Sequence, residues 1–111
     1  MSTGAYPDLF AAGAAFSGVP YGCFAGSSNW NSQCADGKLI KTAATWGDEV
    51  RTGYPGFNGT RPRLQLWHGT ADTTLYYQNF VEANKQCMLL KKGICGCANE
   101  VQGRMFWGLS L

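Results

Sequence analysis

A short apolar run at residues 64–67 constrains the fold of this chain more than any other stretch. It follows Pro62 and ends in His-Gly-Thr-Ala-Asp, residues 68–72. An apolar run of this length between turn-forming residues is typical of a buried β-strand. We therefore predict a strand over residues 64–67, with Asp72 in the loop just beyond its carboxyl end.

The segment after Asp72 favours a helix over residues 73–85, because Leu75, Phe80 and Val81 contribute to an imperfect apolar face. A strand followed by a helix is typical of an α/β sheet, whose ligands bind at the carboxyl ends of the strands. An aspartate at this edge either orients a catalytic histidine or caps the following helix. From the spacing alone, the cap is the more common role.

Three other stretches predict regular structure. Residues 11–19 are small and apolar, which favours a parallel strand buried on both faces. Residues 42–51 favour a short helix with Trp46 and Val50, four positions apart, on its inner face. A first helix should end just before Pro7, because proline is not accommodated inside a helix.

Ser17 and His68 are the other residues whose chemistry invites a catalytic interpretation. The nucleophile elbow of an α/β-hydrolase requires Gly-x-Ser-x-Gly, but Ala15 and Val19 occupy the glycine positions around Ser17. His68, the only histidine, precedes Asp72, whereas the base follows the acid in that fold. We therefore expect Ser17 not to be a nucleophile and His68 to make a structural hydrogen bond.

Two features suit an oxidising, secretory environment. Cys23 and Cys34 have a spacing that suits a disulfide closing a small surface loop. Asn58-Gly-Thr is an acceptor pattern for N-glycosylation. We expect no metal site, since the chain has one histidine and no Cys-x-x-Cys pair accompanies these cysteines.

Three ordered stretches carry a resemblance to a known family. They are residues 5–20 (AYPDLFAAGAAFSGVP), 54–62 (YPGFNGTRP) and 68–80 (HGTADTTLYYQNF). Together they resemble fungal acetylxylan esterases of the first carbohydrate esterase family, which also contains feruloyl esterases and is related to polyhydroxyalkanoate depolymerases. The resemblance implies that Asp72 is the acid of a Ser-His-Asp triad.

The resemblance also implies a fold and a domain division. The fold would be α/β, an incomplete α/β-hydrolase built from late sheet strands and flanking helices. Residues 1–86 would be a fragment of the esterase domain, and residues 87–111 form a tail that does not resemble the family. The 111 residues are few for a whole α/β-hydrolase. The chain holds neither Gly-x-Ser-x-Gly nor a histidine after Asp72, so we expect it to be inactive alone.

The implied substrate is acetylated xylan or a similar plant polysaccharide, and no cofactor is expected. A net charge of +2 with 14% charged residues and no basic run excludes a nucleic-acid surface. No apolar stretch is long enough to span a membrane. The resemblance implies a secreted protein, monomeric when complete, although no signal peptide is visible.

Two alternatives stay open. A feruloyl esterase or polyester depolymerase of the same family would use the same triad on another ester. A carbohydrate-binding remnant without catalysis would instead present Trp30, Trp46 and Tyr54 to a sugar chain.

Overall fold

The computed structural model describes residues 2–90, 95–101 and 104–110. In chain order, the elements of the described part are α1 (Ser2–Ala5), β1 (Ala12–Phe16), α2 (Ser32–Ala35), α3 (Ala43–Gly53), β2 (Arg63–Trp67), α4 (Gln78–Leu89), β3 (Cys95–Val101) and β4 (Arg104–Ser110). None of the described helices is both long and apolar enough to cross a lipid bilayer.

The four strands form one sheet in the order β1-β2-β3-β4. The pairs β1–β2 and β2–β3 are parallel, and β3–β4 is antiparallel. Helix α4 connects β2 to its parallel neighbour β3, as such a crossover requires. Helices around a small parallel sheet are compatible with a partial α/β fold, the predicted class.

The predicted strand at residues 64–67 is confirmed as β2, which also includes Arg63. Its residue Leu66 is buried against Phe80 and Ala83 of α4, and Ala15 of β1 packs on the same cluster. Burial of these apolar side chains stabilises the contact between the sheet and α4, at roughly 25 cal/mol per Å² of surface removed from water.

The expectation that the first strand is buried on both faces is wrong. Along β1 the positions alternate, so that Ala12, Ala14 and Phe16 are exposed while Gly13 and Ala15 are half-buried. A parallel strand is buried on both faces only where helices cover both sides of the sheet. Here Ala15 faces the cluster under α4, and the opposite face of β1 meets solvent.

The helix predicted over residues 73–85 begins later and ends later than expected. Residues 73–77 form turns, and α4 runs from Gln78 to Leu89. The carboxylate of Asp72 accepts hydrogen bonds from the N–H groups of Thr74 and Leu75, which stabilises a turn in place of a first helical turn. The cap position of α4 belongs to Tyr77, so Asp72 does not cap this helix.

The predicted domain division after residue 86 falls inside α4. Residues 91–94, 102, 103 and 111 of the predicted tail lie outside the described residues. The division therefore stays a prediction.

Helix α3 follows the sequence prediction closely. The hydroxyl of Thr42 accepts a hydrogen bond from the N–H of Thr45 at 3.2 Å and caps the helix. Trp46 and Val50 are both buried, as expected for the inner face.

Cys23 and Cys34 are joined by a disulfide, with their Cα atoms 5.8 Å apart. Both cysteines are buried against Trp46, so the bond lies in a core cluster rather than in a surface loop. Trp46 is 0% exposed, so the prediction that Trp46 forms part of a sugar-binding surface is wrong. Trp30 is exposed and meets Phe24 edge-on.

Candidate active site

The carboxyl ends of β1 and β2 meet at one edge of the sheet because the two strands are parallel. Phe16 pairs with Trp67 at the last position of both strands, and their rings stack with centroids 5.7 Å apart. Ser17 follows β1 directly, and residues 68–72 follow β2. This edge of an open α/β sheet is where ligands and catalytic groups gather.

Asp72 is held in the loop by its own backbone turn. Its Oδ1 accepts from the N–H groups of Thr74 at 2.9 Å and Leu75 at 3.0 Å. The side chain remains 21% exposed. One carboxylate oxygen therefore fixes the loop, while part of the group faces outward.

Several contacts hold the pKa of the Asp72 carboxyl below its usual value. The largest effect is the hydrogen bond from the Leu75 N–H, which lowers the pKa, while partial burial of the carboxyl raises it. The Thr74 N–H, the Ser17 hydroxyl and the charge of His68 lower the pKa further. The group is therefore ionised at neutral pH and accepts hydrogen bonds.

His68 is buried behind the loop, with 3% of its surface exposed. Its Nε2 donates to the carbonyl of Leu75 at 2.6 Å and lies 3.7 Å from Oδ2 of Asp72. A carbonyl oxygen only accepts, so Nε2 carries a proton and is not free to take another. The structural hydrogen bond expected of His68 is thus confirmed.

Ser17 is the residue at this edge whose role the sequence did not predict. It has a positive φ of 50°, and its N–H donates to the carbonyl of Trp67 at 2.8 Å. Its hydroxyl is among the groups that lower the pKa of the Asp72 carboxyl. In a triad the nucleophilic serine contacts the base. His68 is the single histidine of the sequence, and its Nε2 donates to the carbonyl of Leu75 and not to Ser17. The signal in the sequence was that Ser17 directly follows one predicted strand, while Asp72 lies in the loop after the other predicted strand.

The cavities near these residues are too small for a sugar ester. A space of about 10 Å³ lies between Ala15, Leu66, His68 and Phe80. A larger one of about 30 Å³, lined by Tyr21, Arg61 and Gln86 among others, includes no residue of the Asp72 loop. Ligand pockets for small molecules commonly measure about 300–1,000 Å³.

The remaining predicted site residues lie elsewhere. Asn58 and Thr60 are exposed in the connection between α3 and β2. Within the described ranges, no three His, Cys, Asp or Glu side chains are grouped so that they could hold a metal ion.

Comparison with known proteins extends the resemblance to individual relatives. The chain is 54% identical over 85 residues to the probable acetylxylan esterase A of Aspergillus fumigatus. The matched stretch covers 73% of this chain and 23% of that protein. Identity to acetylxylan esterase A of Talaromyces purpureogenus is also 54% over 85 residues, covering 73% of this chain and 22% of that protein. No family model matches.

A solved structure agrees with these relatives. The acetyl xylan esterase from Aspergillus awamori superposes with a TM-score of 0.76 at 43% identity, covering 79% of this chain and 34% of that one. The chain thus spans about a quarter of the length of the curated relatives it matches.

Proposed function

Since this chain is a homologue of the fungal acetylxylan esterases over most of its length, we propose that it forms the acid-bearing part of a carboxylic ester hydrolase acting on acetylated xylan. The observation that carries the proposal is the identity of 54% to two such esterases. The position of Asp72 at the carboxyl edge of the sheet supports it.

The proposed mechanism is ester hydrolysis through an acyl-enzyme. A serine attacks the acetyl carbonyl, a histidine takes the serine's proton, and the sugar hydroxyl leaves with a proton from that histidine; water then releases acetate. Asp72 would hold the imidazole in the required tautomer and stabilise its charged form. Its ionised carboxylate and its outward-facing surface suit this role.

The serine and the histidine would have to come from outside residues 1–111. This sequence has no Gly-x-Ser-x-Gly and no histidine after Asp72. An acid without a base to orient gives no rate acceleration by itself. We therefore propose that these 111 residues alone release no acetate from acetylated xylan above the uncatalysed rate.

The test is a transcript that contains these codons, sequenced in both directions and expressed. The proposal expects it to encode a Gly-x-Ser-x-Gly before residue 1 and a histidine after Asp72, and its product to release acetate from acetylated xylan. The Asp72→Asn variant should lose about 10⁴-fold in kcat. Asp48→Asn, an exposed carboxylate paired with Arg51, is the matched control and should keep full activity.

The same assay separates the other members of the family. Ferulate release from a feruloylated arabinoxylan, or breakdown of a polyester film, in place of acetate release would replace the substrate proposed here. A transcript confined to residues 1–111 would contradict the esterase proposal altogether.

Secretion is the second part of the proposal. The disulfide between Cys23 and Cys34 suits an oxidising compartment, and the exposed Asn58-Gly-Thr can accept a glycan there. Protein expressed in a fungal host should lose mass on treatment with an N-glycosidase. The Asn58→Gln variant should show no such change, and an unchanged mass of the parent protein would exclude glycosylation at Asn58.

A further inference from the structure

Arg61 carries a buried hydrogen-bond donor that has no acceptor in the described part of the chain. It lies in the connection between α3 and β2, two residues before the strand begins. Its Nη1 is shielded from solvent and has no hydrogen-bond partner among the described residues. Nearly all buried polar atoms of proteins are hydrogen-bonded, so an exception such as this one points to a bound group.

The charge of Arg61 is also without a counter-charge. None of the ion pairs among the described residues includes it. Burial lowers the pKa of its guanidinium, and the positive charge of Arg51 lowers that pKa further. The ring of Phe57, whose centroid lies 5.3 Å from the guanidinium carbon, attracts the cation but provides no oxygen acceptor. An anion beside Nη1 would therefore meet a positive charge that no described carboxylate neutralises.

Arg61 lines a cavity of about 30 Å³, together with Thr3, Tyr21, Ala83 and Gln86 among others. None of the described lining residues is an aspartate or a glutamate. One water-sized atom occupies about 10–15 Å³ on this measure, so the cavity holds about two such atoms. That volume matches the two oxygens of a carboxylate group, whereas a sugar ring is far larger.

The polar side chain of Gln86 does not supply the missing acceptor. Its Oε1 accepts from the N–H of Tyr21 at 2.7 Å, and its Nε2 donates to the carbonyls of Tyr21 and Trp46, both at 3.0 Å. These three bonds hold the amide in place. Much of the remaining lining is apolar, including Val50 and Leu64. An apolar wall strengthens the attraction between a cation and an anion beside it.

We propose that the cavity beside Arg61 binds one carboxylate group, with a carboxylate oxygen accepting from Nη1. The planar guanidinium matches the geometry of a carboxylate, and the single positive charge matches its single negative charge. The five residues of β2 separate this site from the Asp72 loop, a length of about 16 Å. The inference therefore does not depend on the proposed function.

The carboxylate has two possible sources. One is a free carboxylate anion in solution. The other is an aspartate or glutamate side chain of a longer protein, since this chain spans about a quarter of the length of its curated relatives. In either case the 111-residue chain by itself should bind a small carboxylate, because the site is then open to solution.

The first experiment titrates sodium acetate into the 111-residue chain, replacing sodium chloride so that the ionic strength stays constant. The NMR signals of the Arg61 Nε–H and of the Gln86 side-chain amide, which lines the same cavity, should shift and saturate together. The Nε–H of Arg63, an exposed arginine, is the internal control and should show no saturable shift. The absence of a saturable shift at Arg61 would overturn the proposal.

The second experiment repeats the titration in three variants, with the Gln86 amide as the common reporter. Arg61→Gln should lose the saturable shift. Arg61→Lys keeps the charge but lacks the planar donors, so it should bind acetate at least about tenfold more weakly. Arg63→Gln is the matched control and should keep the parent affinity. Parent affinity in both Arg61 variants would show that the guanidinium is not the receptor.

The third experiment identifies the source in the expressed esterase. If a side chain holds Arg61 there, acetate should cause no saturable shift, and Arg61→Gln should lower the urea midpoint more than Arg63→Gln does. If the site remains open, acetate should bind as it does to the 111-residue chain. An esterase that neither binds acetate nor loses stability in Arg61→Gln would overturn the proposal. If the chain has no longer form, free anions are the source, and the first two experiments decide the matter without the proposed function.

Discussion

The indole Nε1 of Trp46 donates a hydrogen bond to Oε2 of Glu82 at 2.7 Å, and both side chains are fully buried. This bond joins α3 to α4 inside the molecule. The same carboxylate accepts from the N–H of Lys41, from Gln78 and from Lys85. A buried charge with this many donors is stabilised, and it fixes how the two helices pack against each other.

The network predicts that Glu82→Gln destabilises the protein by about 1–3 kcal/mol. In the variant an amide NH₂ group, which can only donate, replaces the carboxylate oxygen that accepts from Trp46 and Lys41. Urea unfolding at pH 7 measures the change. Asp48→Asn, whose partner Arg51 is exposed, is the control and should stay within about 0.5 kcal/mol of the parent. Equal stability of the Gln variant and the parent would mean that the network contributes nothing net.

The network also predicts a pH dependence. Burial alone would raise the pKa of Glu82, but the hydrogen bonds from Lys85, Trp46, Lys41 and Gln78 outweigh it and hold the pKa below the usual value. Its stabilising contribution is therefore present above the pKa of the unfolded chain and is lost as pH falls through the folded pKa. Between pH 7 and pH 3, the free energy of unfolding measured with urea should fall less in Glu82→Gln than in the parent protein.

Trp46→Phe should cost more stability than Trp30→Phe. The first change removes the donor to Glu82 and leaves a gap in the buried cluster, with an expected loss of about 2–4 kcal/mol. Trp30 is about half exposed and packs only edge-on against Phe24, so the same change there should cost less than about 1 kcal/mol. Thermal unfolding of the two variants measures this order, and the reverse order would contradict the assigned core.

Ser17→Gly should be more stable than Ser17→Ala by about 1 kcal/mol, since only glycine adopts the left-handed conformation without a steric cost. Both variants lose the hydroxyl, so their difference isolates the backbone term. Denaturant midpoints measured side by side give the value. Equal midpoints would show that the φ of Ser17 stores no strain.

Asp72→Asn should retain most of the stability while losing the proposed function. An asparagine Oδ1 still accepts from Thr74 and Leu75, so the turn is kept to within about 1 kcal/mol, whereas the negative charge that would stabilise an imidazolium is lost. Circular dichroism and unfolding at pH 7 measure the first effect. A loss of stability well above 1 kcal/mol would assign Asp72 a mainly structural role.

The sequence predicted the elements whose signals are local. The apolar run before residue 68 is β2, the inner face of α3 carries Trp46 and Val50, and His68 makes a structural hydrogen bond. The ordered motifs also predicted the homology that the relatives bear out. Periodicity and family motifs are properties of the chain itself, so they can be recognised without coordinates.

The predictions from the sequence were wrong where contacts made in the folded chain decide the local structure or the burial of a strand. The apolar face of residues 73–85 indicated a helix, but the Asp72 side chain takes the N–H groups of Thr74 and Leu75, so a turn forms first. The small apolar residues of β1 indicated burial on both faces, but the burial of a strand depends on what covers it.

The sequence by itself indicated an α/β class of fold, the strand that leads to Asp72 and the homology to fungal acetylxylan esterases. Only the tertiary structure decided that the N–H of Ser17 donates to the carbonyl of Trp67, and that Trp46 donates to Glu82. The residues of each pair lie far apart in the chain and meet because strands pair and helices pack. A hydrogen bond depends on distance and direction between two atoms, and neither is set by residue type or local spacing.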